Sequence, residues 1–114
     1  MAIQTASMKN SLATAYKNAA LYAALYTTVP GASAGTEVTG GSPAYARKAL
    51  TWGTPSGGVV TATAVFDVPS GTTILGAGIH DALTAGNYLD GAGVTSQNFA
   101  SQGTYTLTLT FTES

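Results

Sequence analysis

Residues 104–113 read TYTLTLTFTE, an alternation without a break. Tyr105, Leu107, Leu109 and Phe111 fall on one face. Thr104, Thr106, Thr108, Thr110 and Thr112 fall on the other. A period of two is the mark of a half-buried strand, and β-branched threonine suits its outer face. That face carries no lysine. An edge strand without charge is open to pairing with another chain. If this strand lies at a sheet edge, a neighbour is expected beside it.

Further strands follow toward the N-terminus. Val59–Val68 is rich in β-branched residues and stops before Pro69. Thr72–His80 contains Ile74, Leu75 and Ile79. Asn87–Leu89 reads as a short strand, and the Asp90-Gly91 pair that follows reads as a hairpin turn. Ala44–Trp52 reads as a strand after the turn set by Gly40, Gly41 and Pro43. Tyr45, Arg47, Ala49 and Thr51 would share one face, with Ala46, Lys48, Leu50 and Trp52 on the other. Leu21–Val29 also alternates, and "VPGASAG" breaks it. The first segment differs. Over residues 5–18, Met8, Leu12, Ala15 and Tyr16 recur at helical spacing, with Thr5 or Ser7 as the cap. Strands about every ten residues, separated by Gly, Pro and Ser, predict a mainly β fold. The expected form is one compact sandwich or barrel-like domain with one N-terminal helix, β-rich over residues 20–113.

Composition narrows the class of protein. The chain has 114 residues, which suits one domain. Only 8% are charged, against roughly 25% in ordinary soluble domains. Net charge is −1. The surface must therefore be covered by Thr, Ser, Gly, Ala, Asn and Gln, which repel neighbours weakly. Such a surface suits a protein packed against others, and an oligomer or multi-copy assembly is expected. There is no basic footprint for nucleic acid. The longest apolar run, Ala19–Tyr26, is too short to span a bilayer. With no cysteine, neither a disulfide nor a thiolate metal site is available.

No catalytic constellation emerges. His80 and Asp81 are adjacent, and neighbours on a strand point to opposite faces, so Asp81 is poorly placed to orient His80 as a triad requires. Asp67, His80, Asp81 and Asp90 match no metal-ligand spacing. Asp67 is expected to end a strand or pair with a base; Asp81 and Asp90 stand in turn contexts. Gly40-Gly41-Ser42 fails the P-loop pattern, since a strand rather than a helix follows and Lys48 comes after Arg47. No catalytic, cofactor or metal residue is assigned. The aromatics, among them Tyr45, Trp52 and Tyr105, suit a core or a sheet face, with a glycan platform as the functional alternative.

Arg47 and Lys48 need a reason in so uncharged a chain. The expectation is Arg47 inward, bound to Asp67 or Asp81 through its planar fork, and Lys48 outward toward a partner.

Taken together, "LYAALYTTVPG" (21–31), "GGSPAYARKALTW" (40–52), "VFDVPSGTTILGAGIHDA" (65–82), "GIHDALTAGNYL" (78–89) and "GTYTLTLTF" (103–111) resemble a family of small virion proteins of tailed bacteriophages, especially those of actinobacteria. Its members are labelled tail-fibre-like, minor tail or minor capsid proteins. Gly78, Asp81, Ala82, Gly86 and Leu89 fit the family's pattern in the fourth stretch, while Ala85 replaces a glycine. The resemblance implies a non-enzymatic structural protein, made in the host cytoplasm and present in many copies on the particle. Its partners would be the major capsid protein or other virion proteins. Small size and the lack of a shaft repeat favour a decoration protein on the outer surface of the capsid. The alternative is a tail fibre or minor tail protein that binds a receptor or glycan.

Overall fold

A computed structural model describes residues 4–112. Thr5 caps the helix α1 (Ala6–Ala19), its hydroxyl accepting from the Met8 amide at 3.3 Å. Six strands follow: β1 (Tyr22–Tyr26), β2 (Lys48–Ala49), β3 (Val59–Val68), β4 (Thr72–His80), β5 (Tyr88–Phe99) and β6 (Gly103–Thr112). They form two antiparallel sheets. One has the order β2-β1-β4-β5 and the other is the pair β3-β6. The fold is thus a mainly β sandwich with one N-terminal helix.

Alternation builds the core. In β3, Val60, Ala62, Ala64, Phe66 and Val68 are buried, while Thr61, Thr63 and Val65 are exposed. β6 pairs with β3 along ten residues, from Val59↔Thr112 to Val68↔Gly103. Phe66, Leu25 and Ile74 are fully enclosed between the sheets, with Ala23, Ala77 and Leu107 around them. Truncating a buried Phe of this kind typically costs about 3–5 kcal/mol. The helix contributes little burial, as Ala13 is its one buried residue. It is held by the Tyr16 ring, which stacks on Phe111, and by polar ties. Asn10 Oδ1 accepts from the Gly58 amide at 2.9 Å, and Lys17 Nζ donates to the Gly53 carbonyl at 3.3 Å.

Three expected elements differ from the structure. The Leu21–Val29 strand shortens to β1, and the Ala44–Trp52 strand shrinks to β2 plus isolated bridges from Ala44 to Gly41 and from Trp52 to Ala62. Most of the 44–52 segment uses its side chains on Glu37 and on the edge of β1, described below, rather than its backbone on a ladder. The third difference concerns Asp90-Gly91-Ala92-Gly93, which is not a turn. β5 runs straight through it, opposite β4. Gly91 and Gly93 face Gly78 and Gly76 across the ladder. A Cβ at Gly78 would strike the Tyr26 ring, and one at Gly76 would strike Pro30. These glycines serve close approach, a strand role of glycine that sequence context alone does not separate from turning. The β4–β5 turn lies at 81–87 instead, with Ala85 and Gly86 at positive φ.

Candidate functional site

Glu37, Arg47 and Lys48 gather at one edge of the larger sheet. β2 covers only Tyr22 and Ala23 of β1, so the edge of β1 beyond them needs other partners. Val38 donates its amide to the Leu25 carbonyl at 3.1 Å. The Leu25 amide donates to the Tyr45 hydroxyl at 3.0 Å. That hydroxyl in turn donates to Glu37 Oε2 at 2.8 Å. Arg47 completes the group: Nη2 meets Glu37 Oε1 at 2.9 Å and Nε meets Glu37 Oε2 at 3.0 Å, a fork-on-carboxylate pair. Its Nη1 donates to the carbonyls of Ala82 and Ala85, at 3.0 and 2.8 Å. One guanidinium thus ties the 37–47 segment to the 81–87 turn.

The positions follow from local sequence. Gly40 and Gly41, at φ 89° and 100°, turn the chain back so that Tyr45 and Arg47 return to Glu37. Burial pushes the Glu37 carboxyl up, but hydrogen bonds from Arg47 and Tyr45, with the Arg47 charge, hold it below its ordinary value. Burial raises the Tyr45 hydroxyl far above the usual phenol range, so it stays a donor.

The expected partner of Arg47 was wrong. It is Glu37, not Asp67 or Asp81. Asp81 holds its own turn, accepting from the Asn87 amide at 2.7 Å and from Asn87 Nδ2 at 2.9 Å. Asp67 lies half-buried near the end of β3, opposite Thr104. Asp90 stands in β5 rather than in a turn and accepts from the Tyr16 hydroxyl at 3.1 Å. Lys48 lies opposite Ala23 at the sheet margin, on the sandwich side rather than pointing away, and makes no side-chain ion pair among the described residues. No motif or spacing singles out Glu37. Charge accounting was the missed signal, since few acids in the chain could answer Arg47.

His80 is buried against aromatics. Nε2 is hydrogen-bonded to the Tyr26 hydroxyl, and Nδ1 is buried without a partner. The Tyr26, His80 and Tyr88 rings meet edge to face. Burial, with the nearby Arg47 charge, holds His80 below its ordinary value. Among the described residues no carboxylate is hydrogen-bonded to it; its Nε2 meets the Tyr26 phenol. Among the described residues, no three of His, Cys, Asp and Glu cluster as metal ligands. The other aromatics are engaged in packing. Tyr45 stacks on Phe66, Tyr105 meets Phe99, and Trp52 meets Tyr16 while donating Nε1 to the Ala20 carbonyl at 2.8 Å.

The remaining feature is a surface. β6 pairs with β3 alone, so its other edge is open, and its five threonines stand exposed beside Thr61 and Thr63. The arrangement defines a structural β-protein: a sandwich whose polar side chains lock turns and edges and whose broad face is hydroxyl-covered and nearly uncharged. The chain belongs to the Gp80 family, described as podophage GP4 fiber I protein gp80, whose model matches residues 4–110. Membership makes it a bacteriophage structural protein of the fibre kind and implies a structural, non-enzymatic role in the virion. No match was found among curated proteins or among solved structures.

Proposed function

We propose that this chain is a subunit of a phage tail fibre, present in several copies and joined to its neighbours through uncharged β surfaces. The observation that carries the reading is the family match over residues 4–110, to a fibre protein. It moves the preference from the capsid, favoured by small size and the lack of a shaft repeat, to the tail. The shape supports it: the domain measures 47 × 23 × 23 Å, twice as long as wide. The threonine face of β6 supplies contacts that neighbouring subunits can desolvate cheaply.

The second reading is decoration of the capsid shell. The chain's size supports it, since a single sandwich of 114 residues suits a knob. Gold-labelled antibody on purified particles separates the two. Label along tail appendages supports the fibre reading, and label spread over the shell supports decoration. A receptor or glycan role for the same subunit would require the isolated protein to bind host cells.

A further inference from the structure

The two edges of the larger sheet are treated differently. The β1/β2 edge is closed by Tyr45, Glu37 and Arg47. At the opposite edge β5 pairs with β4 alone, and β6 in the other sheet pairs with β3 alone. Residues 90–94 of β5 and 107–111 of β6, with Ala77, Gly78 and Ile79 of β4, Tyr16 and Trp52, line a groove of about 290 Å³. Among the described residues β5 and β6 each have one unpaired edge, so two of the strands that line the groove carry free N–H and C=O groups.

Burial shows what this edge lacks. Asp90 and Ala92 stand directly opposite Ile79 and Ala77, so all four share the core-facing side of the sheet. Ile79 and Ala77 are buried, yet Ala92 and Asp90 are exposed. The smaller sheet ends at β6, and β5 projects beyond it with its inner face uncovered. One more strand beside β6 would pair with that open edge and cover Ala92 and the half-buried Val94.

We propose that this groove receives a single extended strand from a different polypeptide of the particle, with apolar residues toward Ala92 and Val94 and a basic side chain against Asp90. The basic residue follows from charge. Asp90 accepts from the Tyr16 hydroxyl and the Gly91 amide, and no cation meets it among the described residues. A second copy has no such strand to offer: among the described residues its lysines lie on α1 and on the two-residue β2, and its Arg47 is bound to Glu37. A sugar would need an open aromatic face, but Tyr16 is stacked on Phe111 at 3.9 Å and meets Trp52 edge-on. The inference takes only its choice of a particle partner from the fibre reading; the groove can be tested in the isolated protein.

The test uses the full chain and a short synthetic peptide alternating Thr and Val, with one Lys in place of a central Val, beside a twin carrying Glu there. Amide hydrogen exchange at residues 107–111 is the readout. The Lys peptide should slow exchange there and bind about fivefold more tightly than its twin, the scale of one exposed ion pair. Asp90→Lys should reverse that order. Ala92→Arg, at an exposed position, should abolish binding with the circular dichroism spectrum unchanged. The proposal fails if neither peptide protects residues 107–111, or if Ala92→Arg binds as before. It also fails if glucose or N-acetylglucosamine perturbs these residues while the peptides do not. Self-association that Ala92→Arg abolishes would make a second copy the occupant and overturn the choice of partner.

Discussion

At the scale of single residues, the Arg47–Glu37 pair is the most consequential contact. Both groups are largely enclosed, with side chains 11% and 27% exposed. Removing one partner leaves the other half-buried and uncompensated. Arg47→Ala should therefore lose about 3 kcal/mol of stability, read as a lower urea midpoint. Arg47→Lys should recover little, because an ammonium cannot hold both Glu37 oxygens and the carbonyls of Ala82 and Ala85 together. The sequence made the argument for an enclosed, paired Arg47 from its scarcity of charge, but named the wrong acid. Glu37 precedes a loop whose return path depends on two glycines at positive φ, and spacing alone does not give that path. His80 adds a pH dependence. Its folded-state value is depressed, so below about pH 6.5 the unfolded chain takes up a proton that the folded chain resists. Stability should be flat from pH 8 to 7 and fall on acidification through the His range. Glu37, also depressed, adds a second loss that begins near its ordinary carboxylate value and deepens as pH falls further. Thermal melts across pH check both, and His80→Phe should remove the first decline while leaving the second. A melting temperature that rises on going from pH 7 to 5.5 would contradict the assignment.

At the scale of elements, what could be read depended on periodicity. β3, β4 and β6 alternate cleanly, or carry runs of β-branched residues, and the structure places them at or within one residue of the expected bounds. The helix was legible from Met8, Leu12 and Tyr16 with a Thr5 cap. β5 was not, because four of its residues, Asp-Gly-Ala-Gly, carry the chemistry of a turn. The role of Gly91 depends on Pro30, from far away in the chain, and on the Tyr88 hydroxyl, both of which lie over it. Gly78, opposite Gly91 in β4, offers a test of the same close approach. Tyr26 is fully buried and lies over Gly78, so Gly78→Ala should cost about 1–3 kcal/mol, measured by chemical denaturation. An exposed glycine in an ordinary turn would cost far less, and a neutral Gly78→Ala would contradict the close approach. β6 allows a complementary experiment. Thr108 is exposed and opposite Thr63, so Thr108→Lys should leave the melting temperature nearly unchanged. If that face meets neighbouring subunits, the same change should sharply reduce incorporation into particles, measured by quantitative mass spectrometry of purified virions.

At the scale of the whole molecule, low charge, hydroxyl-covered strands and the lack of a catalytic cluster among the described residues all agree with a part made for assembly. Composition alone reached that class. Strand spacing does not distinguish a domain on the tail from one on the shell, and small size by itself favours the shell. That is why the choice rests on the family match over residues 4–110 rather than on a residue pattern. The open β5/β6 edge gives the assembly reading a physical location, set against a β1 edge that the chain closes for itself. The most direct test is cryo-electron microscopy of intact particles, with this sandwich fitted into the density. Density for the 47 Å domain within the tail appendages is the predicted result. Density on the capsid lattice alone, or on no part of the particle, would contradict it.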